Sequence, residues 1–336
     1  MDWTPTGRVR EVPASDAADF ATTHGAAYEP VVLRGLVADW PLVRAGREGA
    51  PAAAELLARY DRGEPTHVMR APAEVGGRFF YNDALRGFNF KVERAPLSTL
   101  MGELIALAGE ASPPGLYAGS APTAQHLPGF AEAHPMPLAR PDGPPRIWVG
   151  NKTRVAAHYD VSDNVAVVAM GRRRFTLFPP AATPDLYVGP LDVTIAGQPV
   201  SMVDLAAPDL ERYPRFAHAM EQALSVVLEP GDAIFVPTLW WHAVEALDPV
   251  NILVNYWYNQ PPAGSPFAAM LHAMLAIRDL PAPQRAAWGV WFDQYVFRAD
   301  AATSADHLPP HAQGVAGPPS PAREQAMRAY LRRALG

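Results

Sequence analysis

The chain contains no cysteine, which excludes disulfides, thiolate metal sites and thiol nucleophiles together. No run of about 18 consecutive apolar residues occurs, so no membrane-spanning helix is expected. Charge is sparse: Asp, Glu, Lys and Arg make up 18% of the residues, below the usual quarter. Nor is there a cationic excess. Lys and Arg number 28 against 34 Asp and Glu, a formal net charge of −6, so the electrostatic footprint of a nucleic-acid binder is missing. The run Arg172-Arg173-Arg174 is too short to supply one. Met1-Asp2-Trp3-Thr4-Pro5 lacks a basic start followed by an apolar stretch, so no secretory signal is expected. No internal repeat is present either. The expectation from these absences is a cytoplasmic protein that engages neither membrane nor nucleic acid.

The chain does have material for a core. Hydrophobic residues are 49% of 336, ample for one large domain or two small ones. Proline (37) and glycine (25) together are about 18%, short of the ~25–30% typical of disordered chains, and they predict many turns. Residues 17–80 read as mixed: a strand over Pro30–Gly35, a helix over Ala52–Tyr60, a strand over Thr66–Arg70. Leu97–Leu107 reads as a helix and Gly115–Gly119 as a strand. From 146 to 258 the signal is strongly β. Arg146–Val149, Ala166–Met170, Arg174–Phe178, Ser225–Leu228, Ala233–Pro237 and Asn251–Tyr258 are short runs bounded by turn formers. Such spacing predicts a barrel or sandwich.

Beyond Pro261-Pro262 the pattern turns helical. Ser265 can cap a helix with Pro266 at its first position, and Phe267, Met270, Leu271 and Met274 recur at helical spacing. Trp288, Trp291, Phe292 and Tyr295 stand at i, i+3, i+4 and i+7, one aromatic stripe. It suits either packing on its own barrel or a subunit interface. A Pro/Gly-rich loop over 300–322 and a helix over Arg323–Leu335 follow.

The chemistry-bearing residues fall in two places. In His158-Tyr159-Asp160 an imidazole and a carboxylate sit two apart, which on a strand puts them on one face. Far downstream, Pro230-Gly231-Asp232 opens a strand ending at Pro237, and Trp240-Trp241 deliver His242. Two histidines and one carboxylate form a facial triad that suits Fe(II) and leaves positions open for a co-substrate and O2; zinc and manganese are the rival metals.

These motifs, with Asn164, Gly171-Arg172-Arg173-Arg174-Phe175-Thr176-Leu177-Phe178-Pro179-Pro180, Tyr213-Pro214-Arg215-Phe216 and Asn255-Tyr256-Trp257, resemble the cupin-like JmjC hydroxylases, and bacterial cupin-like proteins most of all. The likeness runs from about Pro30 to Tyr258. It implies a mainly β fold, a double-stranded β-helix (the cupin or JmjC jelly roll) with N-terminal α/β additions and a C-terminal helical region. It further implies a catalytic domain over 1–262 with its metal-binding core at about 146–258, and a helical region over 263–336 that forms a homodimer. By the same likeness the enzyme is an Fe(II)- and 2-oxoglutarate-dependent dioxygenase that hydroxylates a protein or peptide side chain or a small metabolite. O2 and 2-oxoglutarate are then consumed, with succinate and CO2 released. His158, Asp160 and His242 would be the metal ligands. Arg173 stands where the family usually has the lysine that meets the distal carboxylate of 2-oxoglutarate, with Lys152 and Arg154 as alternative anchors. Tyr117, Asn164 and Asn255 match family positions that face the co-substrate. Val155 replaces a family threonine and cannot hydrogen-bond. Two other functions fit the same residues: a zinc- or manganese-dependent cupin enzyme of another class, and a non-enzymatic cupin binding protein.

Overall fold

The structure is a computed structural model that describes residues 3–138, 141–195, 197–259 and 265–335. The expected domain boundary at 262/263 lies outside the described residues. The chain divides into two compact units, Met1–Gln260 and Pro261–Gly336.

The first unit is built on fifteen strands. They are β1 (Gly7–Arg8), β2 (Arg10–Pro13), β3 (Val31–Arg34), β4 (Thr66–Ala71), β5 (Arg78–Phe79), β6 (Lys91–Ala95), β7 (Gly115–Pro122) and β8 (Arg146–Gly150). There follow β9 (Arg154–His158), β10 (Asp163–Met170), β11 (Arg173–Phe178), β12 (Leu224–Leu228), β13 (Ala233–Val236), β14 (Trp241–Ala246) and β15 (Asn251–Tyr258). One sheet has the order β1-β12-β11-β14-β9-β5 and the other β2-β3-β13-β10-β15-β8-β7-β4-β6. Antiparallel pairs between strands distant in sequence, such as β10 with β15 and β11 with β14, make the fold a cupin jelly roll.

Alternation along the strands sets the layers. On β10, Ala166 and Val168 face the space between the sheets, where they meet Phe175, Leu177, Leu228, Ile234 and Leu253. Val165, Val167 and Ala169 face the other way, onto helices Pro41–Glu48, Ala50–Ala58 and Leu97–Leu107. Strands covered on both faces carry nearly continuous apolar runs, which is why β10 and β15 stand out in the sequence. β6 is the opposite case. It ends the nine-stranded sheet, and Lys91, Glu93 and Arg94 are exposed there, charges that guard an open edge against pairing with another chain.

In the second unit, helices span Pro266–Ala276, Ala282–Phe292 and Pro321–Ala334. Ser265 caps the first by accepting from the Ala268 amide, with Pro266 at the first position. Trp288, Trp291 and Tyr295 are exposed. No helix among the described residues is long and apolar enough to cross a membrane.

Candidate metal centre

β9 and β14 pair antiparallel with His158 directly opposite His242. The two imidazole centroids are 4.4 Å apart. The register there carries a bulge: Val244 pairs with Val155, so three steps along β9 match two along β14. An extra residue reverses strand parity. Val155 and His158 therefore both line the inner cavity, and the simple alternation that would send Arg154 inward fails. Arg154 instead faces the outer side, bonded to Asp204 at 3.3 Å and to the Gly76 carbonyl, while Lys152 is exposed. Asp160 lies just past the end of β9 rather than on it. Its carbonyl accepts from the Leu239 amide at 2.9 Å and from the Thr238 hydroxyl. Leu239 has φ +62°, a left-handed conformation that costs roughly 1–2 kcal/mol, so the loop between β13 and β14 is strained where it clasps Asp160.

Each histidine has one ring nitrogen spent. His158 Nδ1 donates to the Ala156 carbonyl at 2.9 Å and His242 Nδ1 to the Trp240 carbonyl at 3.0 Å. That fixes the tautomer and leaves both Nε2 lone pairs for a metal. Burial, reinforced by the His158 imidazole, pushes the His242 pKa down to about 4 against a pull upward from Asp160, so the ring is neutral, the state that ligates metal. Asp160 Oδ2 accepts from Asn164 Nδ2 at 2.9 Å and from Trp257 Nε1 at 3.5 Å. Among the described residues no three His, Asp or Glu side chains are closed into a metal cage. His242 Nε2 and Asp160 Oδ2 are 3.8 Å apart, where adjacent ligands bonded at about 2.1 Å would stand about 3 Å apart. For this pair a contraction of about an ångström separates the two arrangements.

The three side chains line one end of a cavity of about 390 Å³. Its depth is marked by Arg173, which is 2% exposed and shares the inner face of β11 with Phe175. Its Nε and Nη2 are buried without a hydrogen-bond partner. Burial lowers the guanidinium pKa, and the neighbouring Tyr117 hydroxyl partly offsets this. Tyr117 is itself buried, which raises its pKa against the opposing pull of Arg173, and it packs between Phe79 and Trp148 with centroids at 5.9 and 6.0 Å. A buried cation without an anion is among the costliest features a fold can hold. This one sits in the same cavity as the histidines, and a small dianion with one end at the metal would satisfy it.

Asn164 and Asn255 both line the cavity, yet they bond mainly to each other and to the metal site. Trp148 Nε1 donates to Asn255 Oδ1 at 2.7 Å, Asn255 Nδ2 to Asn164 Oδ1 at 3.2 Å, and Asn164 on to Asp160. The chain of bonds orients the carboxylate from the opposite sheet. Trp257 lines the cavity and Trp241 packs outside it. Sequence reasoning overlooked Trp148 and the wall of Phe79, Phe88 and Phe90. The only sign of that wall is the density of aromatics over 79–90.

Comparison with known proteins agrees with this geometry. Residues 17–264 match the family model described as the cupin-like domain. A stretch of 113 residues, 33% of the chain, is 36% identical to the Arabidopsis thaliana lysine-specific demethylase JMJ31, covering 20% of that protein. Over 114 residues the chain is 39% identical to human HSPB1-associated protein 1, 33% of this chain and 22% of that one. Over 108 residues it is 34% identical to the Danio rerio tRNA wybutosine-synthesizing protein 5, 32% of this chain and 30% of that one. The chain thus spans only a fifth to under a third of these relatives. Among solved structures, that of E. coli ycfD aligns over 90% of this chain and 72% of its own at 15% identity and TM-score 0.44. With the family model covering most of its length and a jelly roll beneath it, this chain belongs to the cupin-like domain family.

Proposed function

We propose that the first unit is an Fe(II)- and 2-oxoglutarate-dependent oxygenase that hydroxylates a protein or peptide side chain or a small metabolite. The observation that carries the reading is the unneutralised Arg173 guanidinium enclosed in one cavity with His158, Asp160 and His242. The residues present fit the iron: two neutral imidazoles with Nε2 lone pairs free, and a carboxylate whose Oδ1 receives no hydrogen bond from the described residues. When bound, iron would supply oxygen activation coupled to oxidation of 2-oxoglutarate to succinate and CO2.

The protein's own contributions follow from its side chains. His158, Asp160 and His242 would hold the metal beside the cavity that all three line. Arg173 forks onto the distal carboxylate of 2-oxoglutarate, a geometry for which a guanidinium is well shaped, and the neutral Tyr117 hydroxyl donates beside it. Val155 offers only a methyl surface, so the co-substrate depends on Arg173 and Tyr117. The Trp148–Asn255–Asn164 relay keeps Asp160 oriented. Phe79, Phe175 and Leu253 line the cavity with apolar surface that limits water. The names of the relatives point to lysine in one case and tRNA in another. For this chain a protein, peptide or small molecule is the substrate class favoured by a net charge of −6. The exposed Trp288, Trp291 and Tyr295 support a homodimer formed through the second unit.

The test is metal analysis of the purified chain together with succinate release from 2-oxoglutarate under anaerobic and aerobic conditions. Iron restoring O2-dependent succinate release is the expected result. Zinc retained at full occupancy with no succinate under any metal would favour a hydrolytic or isomerising cupin instead.

A further inference from the structure

Where the cavity meets solvent, the β7–β8 pair is irregular. Ala118 pairs with Val149 and Ala121 with Ile147, so β7 carries one extra residue. The bulge throws Ser120 into a left-handed conformation, φ +57°, and turns Gly119 and Ser120 to line the cavity. A non-glycine residue held there is strained, and such strain gathers at functional sites. Ser120 uses it to hold one side chain: its carbonyl and its Oγ both accept from Arg146 Nε, at 3.1 and 2.5 Å.

Arg146 shares the face of β8 that carries Trp148, and it lies opposite Asn255, both residues of the cavity wall. Its guanidinium carbon stands 5.4 Å over the Trp257 ring, and Trp257 in turn reaches Asp160. Among the described residues no carboxylate forms an ion pair with it. Burial alone shifts its pKa, downward, with no acidic group pulling it back. Its Nε is spent on Ser120, while Nη1 and Nη2 donate to no described group. The cavity that Trp148 and Asn255 border is lined in part by neutral or aromatic side chains, among them Phe88, Phe90 and Gln198. The fold thus holds a second guanidinium, fixed at Nε, stacked on an aromatic ring and open at its fork, within a side chain's reach of the metal site.

We propose that Arg146 is a substrate-recognition residue: its free fork receives a carboxylate of the substrate, so that the molecule oxidised carries an acidic group close to the reacting carbon. This rests on the oxygenase reading for its chemistry but not for the binding itself. A fork held by Ser120 meets a planar carboxylate with two parallel hydrogen bonds, and the aromatic wall seats the apolar remainder.

The test uses the full chain loaded with Mn(II). Two pools of N-acetylated, C-amidated pentapeptides are offered, one with Asp or Glu at the centre and one with Asn or Gln. A parallel arm offers small aromatic and aliphatic monocarboxylates against their amides. Retention is read by ultrafiltration and mass spectrometry. The expected result is a preference for the acids of about tenfold or more, in line with a charge-assisted pair. The arm that shows it tells a peptide source from a small molecule. Arg146→Met abolishes the preference and Arg146→Lys keeps part of it. Ser120→Gly, which suits the left-handed backbone while removing the hydroxyl, reduces it. Equal retention of acids and amides by the unsubstituted chain, retention of neither, or a preference that survives Arg146→Met overturns the proposal. Calorimetry of 2-oxoglutarate alone, run alongside, reports on the oxygenase reading: its failure there leaves an acid preference through Arg146 standing, and its success does not rescue a missing one.

Discussion

Replacing Arg173 by methionine should stabilise the empty protein and shrink its response to the co-substrate. Arg173 is enclosed, with Nε and Nη2 unpartnered. The effective penalty for a buried ion is several kcal/mol, offset here by one bond with Tyr117 worth about 1 kcal/mol. Methionine fills a similar volume without the charge, so the protein without 2-oxoglutarate should gain stability, by about 1–4 kcal/mol on the precedent of buried charges replaced by apolar groups. At about 2–4 °C per kcal/mol for a unit of this size, the melting point rises by several degrees. With 2-oxoglutarate that advantage narrows. Losing a charge-assisted pair costs about 1.5–3 kcal/mol, roughly ten- to a hundredfold in affinity. At a concentration of a hundred times the original Kd, ligand stabilises the unsubstituted protein by about 2.7 kcal/mol. The variant would gain only about 0.4–1.4 kcal/mol by the same relation. Thermal melts of the Mn(II)-loaded chain with and without 2-oxoglutarate measure both quantities. Arg173→Lys should recover part of the ligand shift if the shorter ammonium reaches. If Arg173→Met lowers the melting point of the ligand-free protein and leaves the 2-oxoglutarate shift intact, the guanidinium is a structural group and the anchor lies elsewhere. Arg154→Met serves as the control, since Arg154 is committed to Asp204 outside the cavity.

His158→Ala combined with Asp160→Ala should abolish stoichiometric iron binding, measured by elemental analysis; full occupancy in that double variant would dismiss the triad. Asn164→Ala should weaken metal affinity about 10–100-fold through the lost hold on Asp160, read by competition with a chelator, and an unchanged affinity would reduce the asparagine relay to packing. Trp288→Ala with Trp291→Ala should convert a dimer to a monomer in light scattering at micromolar concentration, whereas a monomeric parent would remove the subunit-interface reading. Acid should destabilise the fold through His134, which is fully buried, donates from Nδ1 to the Phe130 carbonyl and accepts at Nε2 from the Leu42 amide. Burial lowers its pKa, so below the ordinary histidine value of about 6.5 the unfolded chain binds the extra proton and the folded one resists it. Stability is complete above that pH and falls beneath it, and His134→Gln should flatten the decline in denaturant midpoint between pH 7 and 5.

What could be read in advance divides by the range of the interaction. Metal ligation demands particular residue types, so His158, Asp160 and His242 stand out as candidates wherever they fall, and the strand register sets His158 opposite His242. Arg173 keeps the inward face that simple alternation assigns it, because β11 runs without a bulge from Arg173 to Phe178 against β14. The same rule misleads on β9, where one extra residue between Val155 and His158 reverses the faces and sends Arg154 to Asp204. Such a bulge is dictated by the partner strand, and nothing in Arg154–His158 announces it. β6 escaped notice for a related reason: an edge strand whose charges face solvent has no apolar alternation to detect. The relay from Trp148 through Asn255 and Asn164 to Asp160 joins three strands, and its first two links span 107 and 91 residues of chain, so no local window contains it. Short-range chemistry is thus written in the sequence residue by residue, while the groups that tension it are chosen by the sheet. In this chain that second choice matters more than usual, because the barrel encloses one unneutralised guanidinium at its depth and holds another at its mouth. A single buried arginine could be a tolerated accident of packing. Arg173 left unpartnered inside, with the half-buried Arg146 pinned by a strained serine and open at its fork, is the pattern that the two proposed carboxylates would satisfy.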